Sequence, residues 1–288
     1  MTIPLESTTW PVSTLTVVGV GLIGGSLAAA VKARGLAARV IGVGRSVAKL
    51  AGAVERGLLD EVTSDLPWAA RQSDLMVFCT PVDRVVAGVR EAAAACRCGT
   101  LMTDAGSTKA EICEALETGL PPGVEFIGSH PLAGSEKSGY EYSNPQLFAN
   151  RVCVLTPHAR TSVSGLQRLR SFWSGLETRL IEMPARAHDR AVAETSHFPH
   201  VAASVLAATL APEHHALAAR GFRDTTRIAA GDTDLWTSIL LDNAEEVGRS
   251  LDKFAGILDQ YRSALQRRDA TAIKQLWEHA KQIRDQLE

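Results

Sequence analysis

The sequence predicts two folded parts in series, a doubly wound α/β domain over residues 13–183 and an all-helical domain over residues 184–288. Apolar, β-rich runs alternate with helix-periodic segments from residue 14 to about residue 183, the pattern of a parallel sheet covered by helices on both faces. A glycine-rich turn, Gly19-Val20-Gly21-Leu22-Ile23-Gly24, stands between the first such run and the first helical segment. After Met183-Pro184 the strand formers thin out, and Ala, Leu, Glu, Arg and Gln dominate.

In chain order, strands are expected at residues 15–20, 39–43, 75–80, 100–103, 125–128, 152–156 and 179–183, each a nearly continuous apolar run. Between them, residues 22–34, 47–56, 85–95 and 109–116 space their apolar side chains at the helical period. The helical domain is expected to use residues 187–210, 213–220, 233–268 and 270–287, with one long helix over 235–266. A helix of that length in a small domain seldom buries its apolar face alone, so a homodimer is expected. A long monomeric helix covered by its neighbours is the alternative. Residues 1–12 read as a loosely held leader.

Composition narrows the function classes. A net charge of -2 over 288 residues, without a basic stripe, argues against a nucleic-acid partner. No apolar run approaches the ~20 residues of a membrane span, and the N-terminus lacks a basic stretch followed by an apolar core. A cytoplasmic protein without a membrane partner is therefore expected. The five cysteines are odd in number and scattered, as reduced thiols are. Ser196-His197-Phe198-Pro199-His200 and His214-His215 lack the glutamate and the helical spacing of an HExxH zinc site, so no metal is expected.

The glycine turn has the context of a dinucleotide fingerprint. Glycines there serve the tight turn, the approach of backbone to a pyrophosphate, and close packing of helix on strand. This makes the first domain Rossmann-type and places Gly19, Gly21, Leu22, Ile23 and Gly24 against a cofactor. In such units an acid at the end of the second strand binds the ribose hydroxyls of NAD. Here Gly44-Arg45-Ser46 follows that strand instead, and a guanidinium with a hydroxyl suits a 2′-phosphate. NADP is accordingly preferred over NAD, with a solvated helix-start Arg45 as the alternative. Thr80-Pro81-Val82 is expected to lie along the nicotinamide.

Five motifs in order, the glycine turn through Ser26, Thr103-Asp104-Ala105-Gly106-Ser107-Thr108-Lys109, His130-Pro131-Leu132-Ala133-Gly134-Ser135-Glu136, Ser196-His197-Phe198-Pro199-His200 and the segment from Gly221 to Ala229, resemble the prephenate/arogenate dehydrogenase family across nearly the whole chain. The resemblance implies oxidative decarboxylation of prephenate and/or arogenate, with hydride transfer to NAD(P), in tyrosine biosynthesis. His130 matches the catalytic histidine, and an imidazole suits the task because its pKa lies near working pH. Ser107 matches the serine that bonds the same substrate hydroxyl and steadies the histidine. Arg227 matches the arginine that grips a substrate carboxylate. Asp224, three residues earlier, would share a helical face with Arg227 and hold it, or the two form only a surface ion pair. His200 and Ser196 match substrate contacts. Glu136 and Trp236 match residues near the pocket mouth, Trp236 donated by a partner subunit or else an ordinary core aromatic.

Leu132 replaces a frequent methionine, a volume-conserving change. Gly231 stands where some members carry a polar residue. His200, which some arogenate-specific members lack, leans toward prephenate, whereas Gly44 in place of an acid resembles NADP-using arogenate enzymes. The chain is expected to leave no room for a fused chorismate mutase or a regulatory domain. A β-hydroxyacid dehydrogenase or imine reductase, and a non-catalytic NADP-sensing regulator, are the other readings.

Overall fold

The computed structural model describes residues 12–135 and 137–287. β1 (Val12–Val18), β2 (Ala37–Val43), β3 (Glu61–Thr63), β4 (Leu75–Phe78), β5 (Leu101–Asp104) and β6 (Glu125–Phe126) form an all-parallel sheet in the order β3-β2-β1-β4-β5-β6. That is the Rossmann strand order. Alternate strand residues enter opposite cores: Leu15, Val17, Val40, Leu75, Val77 and Leu101 on one face, Ile41, Val43, Met76, Phe78 and Met102 on the other. Burial on both faces is why the strands read as unbroken apolar runs. The expected leader overlaps the start of β1 at Val12, while residues 1–11 lie outside the described residues.

The connecting helices are α1 (Leu22–Arg34), α2 (Val47–Glu55), α3 (Leu66–Gln72), α4 (Val82–Ala93) and α5 (Ala110–Leu116). The sequence reading missed β3 and α3. β3 is three half-buried residues, and α3 is seven residues that rely on the Asp65 carboxylate accepting from the Trp68 amide at 2.8 Å. It missed α6 (Val163–Gly175) as well, whose Trp173 is fully buried in the core on the α1 face.

One parallel sheet through residue 183 is not what forms. The expected strand at 125–128 ends at Phe126, and β7 (Gly128–Pro131), β8 (Val152–Thr156) and β9 (Arg179–Glu182) make a separate sheet, antiparallel between β7 and β8 and parallel between β8 and β9. The switch has a side-chain cause. The Ser129 amide donates to the Asp104 carboxylate at 3.1 Å, so β7 leaves β5 and carries His130 across the end of the larger sheet.

Beyond β9 the chain is helical: α7 (Ala185–Val192), a π turn (Ala193–His197), α8 (Phe198–Ala208), α9 (Arg220–Thr226), α10 (Thr233–Asp242), α11 (Ala244–Gln266) and α12 (Ala270–Asp285). Pro199 has no N–H for the carbonyl four residues back, and the widened turn lies just upstream of it. The expected helix over 235–266 is broken at Asn243, which leaves helical geometry at φ -116 and ψ 31. Its side-chain amide instead donates to the Asp189 carbonyl at 2.8 Å and meets His197 Nδ1 at 3.1 Å. Among the described residues, no helix is long and apolar enough to cross a membrane.

Asn243 thus pins α10 and α11 to α7 and the π turn from a buried position. Asn243→Ala is expected to lower the unfolding free energy by about 1–3 kcal/mol, the cost of leaving buried acceptors unmet. Urea titration followed by circular dichroism checks it, and an unchanged midpoint would remove Asn243 from the joint.

Candidate active site

The glycine turn after β1 divides its labour by position. Gly19 sits at φ +92, and a Cβ there would come within 2.8 Å of the Cys79 carbonyl oxygen. At Gly24 a Cβ would meet the Gly19 carbonyl oxygen at 2.1 Å, so α1 packs tightly on β1 only with glycine. A Cβ at Gly21 would meet no atom within 4 Å. The space beside it is open. Gly21 caps α1 without a side-chain acceptor, and no acid stands in the first turn, which leaves the positive helix end open to a pyrophosphate. Leu22 and Ile23 form that first turn. Across the turn, Thr80 carries a buried hydroxyl with no hydrogen-bond partner among the described residues, and Pro81 leads into α4. These residues fit a nicotinamide dinucleotide, whose pyrophosphate would lie on the Gly21 amide end with the nicotinamide side toward Thr80.

Beyond β2, Gly44 donates its amide to the Thr63 carbonyl at 3.1 Å, Arg45 is exposed, and the Ser46 hydroxyl caps α2 by accepting from the Lys49 amide at 3.4 Å. No carboxylate occupies residues 44–46.

At the end of β5 and β7 lies a buried polar cluster. His130 on β7 is nearly enclosed, and its Nδ1 lies 2.8 Å from His188 Nε2. His188 Nδ1 in turn lies 2.7 Å from Asp189 Oδ1. Asp189 also accepts the backbone amides of Lys109 at 2.8 Å and Ala110 at 2.7 Å, where α5 begins. The Lys109 side chain runs to the Asp104 carboxylate, and both are fully buried. Burial pushes His130 well below the usual histidine value, and the charge of Lys109 pushes the same way. Burial also draws His197 down to about 4. Asp189 is held below the usual carboxylate range although burial alone would raise it, because His188 and the two amides bond its charged form.

The other expected residues gather on α8 to α10. His200 stacks on Trp236 with ring centroids 3.5 Å apart, and its Nδ1 donates to the Ser196 carbonyl at 2.9 Å. A Cβ at Gly231 would come within 2.4 Å of Trp236 Nε1, so that glycine admits the stacked indole. Burial lowers His200, and the nearby charge of Arg227 lowers it further against the pull of the Ser196 carbonyl. Arg227 is exposed.

One expectation is corrected. Asp224 bonds Arg220 at 3.3 Å, not Arg227, because α9 ends at Thr226 and Arg227 begins a tighter turn. Ser107 is half-buried between β5 and α5, and His188 meets the His130 ring at Nδ1. Glu136 lies outside the described residues. The sequence reading passed over His188, Asp189, Lys109, His197 and Asn243. Lys109 and His197 stood inside quoted motifs, and an adjacent His-Asp pair about two helical turns before a histidine motif was the available signal for His188 and Asp189.

A dinucleotide cradle opening beside a buried neutral imidazole is what an NAD(P)-dependent dehydrogenase requires, and this protein is an oxidoreductase of that class. The family model described as prephenate dehydrogenase, nucleotide-binding domain, matches residues 27–182, and that described as prephenate dehydrogenase, dimerization domain, matches residues 184–282. The chain belongs to the prephenate dehydrogenase family. It is 37% identical over 281 residues to prephenate dehydrogenase of Lactococcus lactis subsp. cremoris, covering 94% of this chain and 77% of that one. It is 31% identical to cyclohexadienyl dehydrogenase of Zymomonas mobilis, covering 94% of each. Among solved structures, prephenate dehydrogenase from A. aeolicus in complex with hydroxyphenyl propionate and NAD+ superposes with a TM-score of 0.88 at 27% identity, over 96% of this chain and 98% of that one.

The two glycines are expected to separate folding from binding. Gly24→Ala should cost about 1–3 kcal/mol of stability through overpacking. Gly21→Ala should cost less than about 1 kcal/mol, a helix-cap difference. It should nonetheless weaken dinucleotide affinity about tenfold or more, a loss of ~1.4 kcal/mol of binding. Thermal unfolding and a dinucleotide titration check the pair, and equal affinities for Gly21→Ala and the parent would place the pyrophosphate elsewhere.

Proposed function

We propose that the chain oxidises prephenate and/or arogenate, releasing carbon dioxide and 4-hydroxyphenylpyruvate or tyrosine, with NADP preferred over NAD. The observation that carries this reading is His130, buried and kept neutral, with one ring nitrogen engaged and the other left for a substrate hydroxyl. When bound, the nicotinamide supplies the hydride acceptor. His130 Nε2 takes the proton of the ring hydroxyl as the hydride leaves the same carbon. The electrons of the bond to the ring carboxylate then enter the ring, which becomes aromatic.

Arg227 serves as the carboxylate grip, since an exposed planar guanidinium can make two parallel hydrogen bonds to a carboxylate. His200, Ser196 and Trp236 line the substrate side chain, and Ser107 bonds the hydroxyl beside His130. Glu136 keeps its proposed place at the mouth by resemblance alone, and Asp224, bonded to Arg220, keeps its substrate-binding place likewise. The NADP preference is supported by Arg45, exposed where an NAD enzyme carries an acid, with Ser46 beside it. The reading divides the chain at Met183-Pro184, the joint between β9 and α7. A homodimer is supported by Leu251, Phe254 and Leu258 on α11 and Trp277 on α12, exposed apolar side chains that a monomer would leave in water.

Initial rates with prephenate or arogenate against NAD or NADP test the reading. Turnover with at least one acid, faster at low NADP than at low NAD, is expected; no turnover in any pairing would refute the proposal. Arg45→Asp should raise the KM for NADP about tenfold, the loss of one charged phosphate contact worth ~1.4 kcal/mol, and leave that for NAD little changed.

His130→Asn should lose about 10²–10⁴-fold in kcat, the usual share of general acid–base catalysis. Because His130 charges only well below the ordinary value, the acid limb of kcat/KM should lie under about pH 6.5. Stability follows the same sign: the unfolded state takes up these protons near pH 6.5 while folded His130 and His197 resist, so stability declines as pH falls below about 6.5. An acid limb above that value would contradict the assigned base.

A further inference from the structure

We propose that His188, backed by Asp189, is a positioning residue that holds the His130 imidazole with its proton on Nδ1, leaving the Nε2 lone pair to face the substrate. Only the last clause rests on the dehydrogenase reading above. The tautomer assignment stands on contacts within the chain.

The assignment starts at the carboxylate. Asp189 is buried and accepts from two backbone amides, so it can only be an acceptor toward His188. His188 Nδ1, 2.7 Å from Oδ1, must therefore carry a proton and donate it. In a neutral ring that leaves His188 Nε2 as a lone pair. The atom facing it at 2.8 Å is His130 Nδ1, which must then be the donor. His130 Nε2 is consequently unprotonated, the state a general base needs. The direction of every hydrogen bond follows from one carboxylate, and no other arrangement of neutral rings satisfies the chain.

The arrangement also prepares the moment of proton transfer. When His130 takes a proton on Nε2, its positive charge is shared through Nδ1–H to an acceptor whose opposite nitrogen is already tied to a carboxylate. The carboxylate takes no proton; it orients and stabilises, as the aspartate of a catalytic triad does. The rings stand edge to face with centroids 5.1 Å apart, which fixes the His130 plane as well as its tautomer. His188 is fully buried and Asp189 almost so, and therefore neither touches substrate directly.

Nitrogen-15 NMR of histidine-labelled protein, with kinetics on the same samples, tests the proposal. The wild type should show Nδ1–H on both His130 and His188. In His188→Phe, which removes the acceptor, His130 should shift toward Nε2–H, and kcat should fall about 10²-fold, the lower end of what acid–base catalysis contributes. The substrate KM and dinucleotide affinity should stay nearly unchanged, which a merely structural role would not produce. His188→Gln, whose amide oxygen can accept from His130, should recover Nδ1–H and most of the lost rate; it also serves if His188→Phe does not fold. A wild-type His130 carrying Nε2–H, as a doubly protonated His188 would impose, overturns the proposal, as does an undiminished kcat in His188→Phe. If the wild type turns over no cyclohexadienyl acid, the dehydrogenase reading fails, while the tautomers and their response to His188→Gln still decide this inference.

Discussion

A carboxylate removed from water between the sheet and the helices, that of Asp189, sets the position of nearly everything near the reaction. Taking such an ion out of solvent costs several kcal/mol. Each hydrogen bond to a charged group returns about 1.5–3 kcal/mol, so three good donors bring the account near balance and two do not. The three here come from different places: the first amides of α5, which also present the positive end of a helix, and the adjacent ring of His188 on α7. Sliding α7 along α5 would strip the charge of donors. The Asp189 carbonyl then receives Asn243, which extends the constraint to the break between α10 and α11.

Lys109 links this constraint to the sheet. Its amide serves Asp189 while its ammonium, fully buried, meets Asp104 at the end of β5. A buried ion pair is weak evidence of stability. Its consequence here is geometric, because the same Asp104 carboxylate takes the Ser129 amide and turns β7 away from the larger sheet. One lysine therefore connects β5, the strand that bears His130 and, through Asp189, the helix that bears His188. It also sets a positive field beside His130, reinforcing what burial does to that imidazole.

Features made by local chain properties were legible in the sequence. Gly19 and Gly24 announced a turn and a close packing that the backbone bears out, and the continuous apolar runs announced strands buried on both faces. What escaped depended on partners distant in sequence. Phe126 and Gly128 look like one strand because hydrophobicity does not record that a carboxylate more than twenty residues earlier captures the amide of Ser129 just beyond them. Residues 235–266 look like one helix because helix propensity does not record that Asn243 has better bonds across the domain joint. Asp224 and Arg227 have helical spacing, but the helix ends between them. His188 and Asp189 have ordinary surface-helix composition, and only the fold shows them buried.

The electrostatics of the site match the charge of the proposed substrate. A histidine kept neutral by burial and by the charge of Lys109 is a poor base, since the surroundings that keep it neutral also resist protonation. An anionic substrate changes that balance. Once the substrate is bound, its negative charge opposes the field of Lys109, so the imidazole becomes more basic when there is a proton to take. As the carboxylate departs as neutral carbon dioxide, that opposition disappears and the imidazolium is driven to release its proton. On this reading, the burial and positive surroundings of His130 couple its basicity to the presence of the group that the reaction removes, with Asp189 and His188 keeping the ring oriented throughout.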